Sequence, residues 1–222
     1  MNVPELNVST EDVQQIQSAV KNRNPVEFSC YTLTSVQKSR FLEILKIFLK
    51  ECDQEHLFNC LSYCLLELLD NASKANAKRI FFEEEHLDIN NAEDYKNGML
   101  KFKTQISENQ KHYFEELETG FLKVDLQLSV DNLISLQVTN NTGITETEYN
   151  RIQDKIQKTK NYQSLEDAFG DIDQTEGSGL GIISIILMLK RLGLNTENLR
   201  FKMADKRTVA TIEIPVDSFE EL

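Results

Sequence analysis

The chain has 222 residues, 40% of them hydrophobic and 27% charged, with a formal charge of −12. That length suits one domain with an elaboration, or one domain plus a small second one, and the composition is that of an ordinary globular chain with enough apolar mass for a core. The acidity removes any electrostatic reason to coat nucleic acid or an anionic membrane, while leaving room for basic spots that hold phosphates inside a pocket. Residues 1–5 show neither a basic nor an apolar segment of a signal peptide, and no apolar run reaches the ~18 residues of a membrane span. Cys30, Cys52, Cys60 and Cys64 form no CxxC pair. The expectation is a cytoplasmic protein with reduced thiols.

In chain order, Ser9, Thr10, Glu11 and Asp12 open a short amphipathic helix with Val13, Ile16 and Val20 as its stripe, ended by Pro25. Residues 26–33 read as a strand. Thr34 and Gln37 have the spacing of a capping box, after which Phe41, Leu42, Leu45, Phe48 and Leu49 recur at helical spacing. A second helix is predicted over about 54–75, then a strand over 79–83 (Arg-Ile-Phe-Phe-Glu) and a polar, helix-prone stretch over about 92–118. Residues 124–130 and 133–139 alternate and are separated by Asp131 and Asn132, which predicts a hairpin. A polar segment over 145–176 runs into a glycine-rich turn and an apolar helix over 182–192, with Gly193 at its C-terminal cap. Two strand-like runs, 199–203 and 209–215, close the chain. The sum is an α+β fold, a two-layer sandwich with helices on one face of a mixed, mostly antiparallel sheet.

Two segments carry chemistry. Gly177, Ser178, Gly179, Leu180 and Gly181 place three glycines at alternate positions just before an apolar helix. Glycine lets the backbone approach a ligand closely, and a helix N-terminus offers unpaired N–H groups to a phosphate. The plainer reading is a flexible loop leading into a core helix. Glu67, Asn71 and Lys74 lie at i, i+4 and i+7 and so share one helical stripe. An amide oxygen suits a hard cation, an ammonium neutralises phosphate, and a carboxylate can activate water. On its own, this stripe is more simply the solvated side of an amphipathic helix.

Taken together, the segments resemble the histidine-kinase-like ATPases, the GHKL superfamily. Residues 67–75, Glu-Leu-Leu-Asp-Asn-Ala-Ser-Lys-Ala, resemble the N box, and residues 177–182, Gly-Ser-Gly-Leu-Gly-Ile, resemble the G2 box. The order and separation of the two boxes fit, as does the closing Ile214-Pro215, and the resemblance covers about residues 28–217. It implies a Bergerat fold, with residues 1–27 as a helical extension, a helical insertion at about 88–123 and an ATP lid at about 145–176. It also implies ATP and Mg²⁺ as ligands. Asn71 would ligate the metal, Lys74 would approach the phosphates, and Gly179 and Gly181 would meet them through backbone N–H groups.

One motif departs from the family. Its G1 box holds an Asp that accepts from the adenine amino group. Strand phase puts Asn140 in that position, whereas the glycine register prefers Asn141, followed by Gly143. Either way an amide replaces a carboxylate, an exchange costing about 1 kcal/mol in a hydrogen bond and several-fold in affinity. His56, His86 and His112 lack the surroundings of a phosphoacceptor. The layout before the N box is similar to stand-alone anti-sigma serine kinases, while Glu67 stands where hydrolytic members place their general base. The reading is therefore an ATP·Mg-binding kinase or regulatory ATPase in signalling, acting on a protein partner or phosphoacceptor. The alternatives are a non-catalytic interaction module and a hydrolase using Glu67. The insertion covers the sheet edge in the simplest reading, or presents a surface for a partner or a homodimer.

Overall fold

The computed structural model describes residues 8–171 and 180–216. Helix α1 (Thr10–Asn22) starts at Ser9, whose hydroxyl accepts from the Asp12 N–H while the Asp12 carboxylate accepts from the Ser9 N–H. Strand β1 is Val26–Cys30 and helix α2 is Ser35–Glu51. Thr34 caps α2 through the Gln37 N–H, but the reciprocal half of the expected capping box is missing, and the Gln37 side-chain oxygen is buried without a partner.

Helix α3, Phe58–Glu84, is 27 residues long, or about 40 Å at 1.5 Å per residue. The strand expected at 79–83 does not form. Those residues continue α3, because Ala77, Ile80, Phe81 and Phe82 are buried against α4 (Ala92–Glu108) and α5 (Gln110–Thr119). Ile-Phe-Phe suits a strand locally, but burial against a partner element outweighs local preference. The segment expected to cover a sheet edge is thus a helical pair that takes α3 as its main support.

The sheet runs β1-β2-β3-β5-β4, with β2 Val124–Val130, β3 Leu133–Asn140, β4 Leu199–Ala204 and β5 Arg207–Pro215. Every pairing is antiparallel among the described residues, which corrects the mixed sheet expected from the sequence. The segment at 79–83 that would have added a strand stays in helix. Register explains the two faces. Phe28, Leu126, Val138, Ala210 and Phe201 lie opposite one another in one apolar row, and Glu27, Gln127, Gln137, Thr211 and Arg200 form a polar row on the other side. The apolar face receives Phe41, Leu45 and Leu49 of α2, Leu61, Leu65 and Leu69 of α3, and Ile185, Ile186 and Leu189 of α7 (Leu180–Arg191). Helix α6 (Glu146–Thr159) lies beside α7, and Lys190 of α7 donates to the carbonyls of Thr159, Lys160 and Tyr162 at its C-terminus.

Helix α7 stops where the sequence indicates. Gly193 has φ +75°, its N–H meets the Lys190 carbonyl, and the Leu194 N–H meets that of Leu189. This six-to-one closure favours glycine at the left-handed position. Helix α3 ends the same way at exposed His86, φ 55°, with the Leu87 N–H on the Phe82 carbonyl at 2.9 Å. A side chain there is strained. His86→Gly is expected to stabilise the protein by about 1 kcal/mol, raising Tm by ~2–4 °C, as a thermal melt would show.

Candidate functional site

Alternation along β3 puts Asn140 on the same side as Val138, in a row with Cys30, Val124 and Thr208. Above that end of the sheet passes the middle of α3. Between them opens a cavity of about 460 Å³, within the range of small-molecule sites. Glu67, Asn71 and Lys74 line it from α3, Asn140 from β3, and Gly181 from the first turn of α7. Asn71 and Lys74 are exposed at its mouth, and Asn140 is buried, at 3% exposure.

Glu67 and Gly181 touch. A Cβ on Gly181 would run into the Glu67 carboxylate and come within 3.8 Å of the Asn71 side-chain nitrogen. Glycine at this position thus leaves the Glu67 carboxylate where it lies, since a larger residue would displace it. Gly177, Ser178 and Gly179 lie outside the described residues. Leu180 begins α7. Asn141 does not line the cavity. Its side chain accepts from the Lys123 N–H at 2.8 Å and donates to the Phe121 carbonyl at 2.7 Å, tying down the start of β2. Gly143 also stays outside, and its carbonyl accepts from Arg79 at 2.7 Å. Of the two asparagines left open by the sequence, Asn140 is the one that faces the cavity.

Several lining residues were invisible to the motif reading. Lys78, Arg79, Lys103, Arg151 and Lys155 join Lys74, so six cationic side chains stand against the carboxylates of Glu67 and Glu148. The wall is basic inside a chain of charge −12. Such a wall concentrates anions. The rest of the lining is largely apolar: Leu68, Ala72 and Ala75 of α3, Val138, Ala210 and Phe201 of the sheet, and Met99, Phe102 and Ile106 of α4. The helical segment between α3 and β2 therefore supplies one wall of the cavity.

Glu148 is the electrostatic centre of this region. It sits in the first turn of α6, where its carboxylate accepts from the Thr145 N–H. It also meets Lys78 at 2.7 Å and Arg79 at 2.5 Å. Burial alone would raise its pKa, but the two cations outweigh that and hold it at about 2. Next to this cluster, Asn76 is fully buried on α3. Its amide nitrogen donates to the Lys123 carbonyl, and its oxygen accepts from Asn140 and Thr142. The sequence held a signal for it. Asn76 falls on the buried stripe with Ala72 and Ile80, and a polar residue at such a position needs partners.

The four cysteines are free, and burial pushes the thiols of Cys30 and Cys52 up to about 12. Among the described residues no helix is long and apolar enough to cross a membrane.

No family model matches the chain, and no solved structure matches it. The chain is similar to an uncharacterised protein of Treponema pallidum (strain Nichols), 36% identical over 207 residues. The match takes in 92% of this chain and 40% of that relative, so the chain corresponds to less than half the length of the protein it resembles.

Proposed function

We propose that the cavity is a nucleotide site and that the chain binds ATP·Mg on a variant of the Bergerat fold, as a kinase or regulatory ATPase in signal transduction. The supporting observation is convergence. Glu67, Asn71, Lys74, Asn140 and Gly181 come from three separate sequence segments and line one cavity of about 460 Å³. Its mixed lining suits a nucleotide. Lys74 matches a phosphate, and the apolar lining of Val138, Ala210, Met99 and Phe102 matches a base.

The residues present also fit a magnesium ion. No group of three His, Cys, Asp or Glu residues forms a metal site among the described residues. Mg²⁺ does not require one, because it keeps several waters and takes one or two protein oxygens plus phosphate. The Asn71 amide oxygen is the donor at the mouth. The bound ion would supply charge neutralisation for the phosphates. Glu67 is the group suited to accept a proton from a water or a partner hydroxyl.

Calorimetric titration with ATP·Mg tests the reading, and Asn71→Ala is expected to weaken binding at least tenfold. No binding to the wild-type protein at millimolar ATP would overturn it. In Glu67→Gln, binding that persists while phosphate release or transfer stops assigns Glu67 as the base. A non-catalytic interaction module on the same fold is the second reading, favoured by the carboxamide of Asn140 where the family has a carboxylate. ATP binding with no phosphate ever released or transferred would support it.

A further inference from the structure

We propose that Asn76 is a positioning residue that sets the polarity of a buried hydrogen-bond chain. By this chain the Asn140 carboxamide presents only its oxygen to the cavity, and the site selects a base carrying an exocyclic amino group over one carrying an oxo group at the same place. The inference rests on the nucleotide reading and extends it to base selection.

The chain begins at a group that cannot reverse. The Lys123 carbonyl can only accept, and Asn76 Nδ2 donates to it at 3.1 Å. The Asn76 amide is thereby fixed, with Oδ1 toward β3. That oxygen accepts from the Thr142 hydroxyl at 2.8 Å and from Asn140 Nδ2 at 3.2 Å. The two protons of Asn140 Nδ2 are shared among that oxygen, the Thr142 hydroxyl oxygen at 2.7 Å and the Thr142 carbonyl at 3.2 Å. Turning the Asn140 amide over would set its oxygen against two groups without protons, Asn76 Oδ1 and the Thr142 carbonyl. The Thr142 hydroxyl could rescue the turned form only by withdrawing its one proton from Asn76, which would leave Asn76 Oδ1 buried without a donor. Asn140 Oδ1 has no donor among the described residues and is left for the cavity that Asn140 lines.

Asn76 is decisive because its loss frees the Thr142 proton. The Thr142 carbonyl has a second donor, the Thr208 hydroxyl at 2.8 Å, and so does not need Asn140. Without Asn76, the Thr142 hydroxyl can donate to a turned Asn140, and both amide orientations become available. The site would then accept from an amino group or donate to an oxo group.

ATP and ITP, which differ at C6 as amino against oxo, are the probes. Dissociation constants for both, with Mg²⁺, are measured on the wild-type chain, Asn76→Leu and Thr142→Val. The wild type is expected to prefer ATP by roughly tenfold. Asn76→Leu is expected to bring the ratio to within about threefold of unity, with ITP losing less than ATP or gaining outright. A purely structural defect would weaken both nucleotides alike and leave the ratio in place. Thr142→Val removes the hydroxyl but keeps Asn76 Oδ1 and the backbone carbonyl as acceptors, so it should hold the wild-type ratio. Equal wild-type affinities for ATP and ITP overturn the proposal while leaving the nucleotide site standing. An unchanged ratio in Asn76→Leu, or a collapsed one in Thr142→Val, also overturns it. Binding of neither nucleotide to the wild type removes the site and this proposal together. Should Asn76→Leu fail to fold, Asn76→Ala, which removes the same amide without adding bulk, is read in its place with the same outcomes.

Discussion

Replacing Glu148 with alanine is expected to destabilise the protein by about 3–5 kcal/mol, the usual consequence of stranding buried charges by removing their partner. Lys78 and Arg79 both reach this one carboxylate, and their side chains are only 12% and 18% exposed. Denaturant midpoints at neutral pH measure the loss. The same pair of contacts predicts a pH dependence. The Glu148 pKa is depressed from 4.5 to about 2, because the cations overcome the cost of burial. A depressed carboxyl contributes stability that is fully present above its unfolded value and is lost as pH falls through the folded one. The contribution, on the order of 3 kcal/mol, should therefore be intact above about pH 5 and disappear toward pH 2. Wild type and Glu148→Gln should differ most at pH 6–7 and converge as the solution is acidified. A gap that stays constant with pH would show that the pairing with Lys78 and Arg79 does not stabilise the fold.

Phe81→Ala is expected to have an effect of similar size, about 3–5 kcal/mol, by opening a hole in the cluster between α3 and the α4–α5 pair. Phe81 is fully buried, with ring centroids 5.5 Å from Phe82 and 5.4 Å from Phe102. It does not line the cavity, but Met99 and Phe102 of the helix it supports do. On the proposed nucleotide reading, affinity for ATP·Mg should therefore fall in Phe81→Ala at a temperature where the protein is still folded. Hydrogen exchange would locate the damage: α4 and α5 should lose protection while α2 and the sheet keep theirs. Uniform loss across the chain would mean that the helical pair is not a distinct layer of the structure.

Much of the scaffold could be read from local chemistry. Ser9 and Asp12 mark the start of α1, Thr34 that of α2, and the alternation on either side of Asp131 and Asn132 marks the hairpin. Gly193 marks the end of α7. Each of these rests on neighbours in sequence. The misreading at 79–83 came from a short apolar run, which fits strand or helix equally until its burial partner is known. Here the partners, Tyr95, Phe102 and Tyr113, lie beyond the next turn of the chain. The end of α3 was hidden for a related reason, since His86 occupies the left-handed position without the glycine that usually announces it. At the site, the stripe of Glu67, Asn71 and Lys74 was legible because helical spacing alone sets it. Glu148 was not, because an acid in a polar stretch reads as solvated unless its two cationic partners, some 70 positions earlier, are known to fold onto it.

Helix α3 belongs to both apolar clusters. Its N-terminal half is buried against the sheet, and its C-terminal half against the α4–α5 pair. Its 27 residues include neither glycine nor proline, so the rod has no ready point at which to kink. The gap between sheet and α4 is thereby set by the stiffness of one continuous helix. Helix α6 is referenced to the same rod, because Glu148 in its first turn is tied to Lys78 and Arg79 of α3.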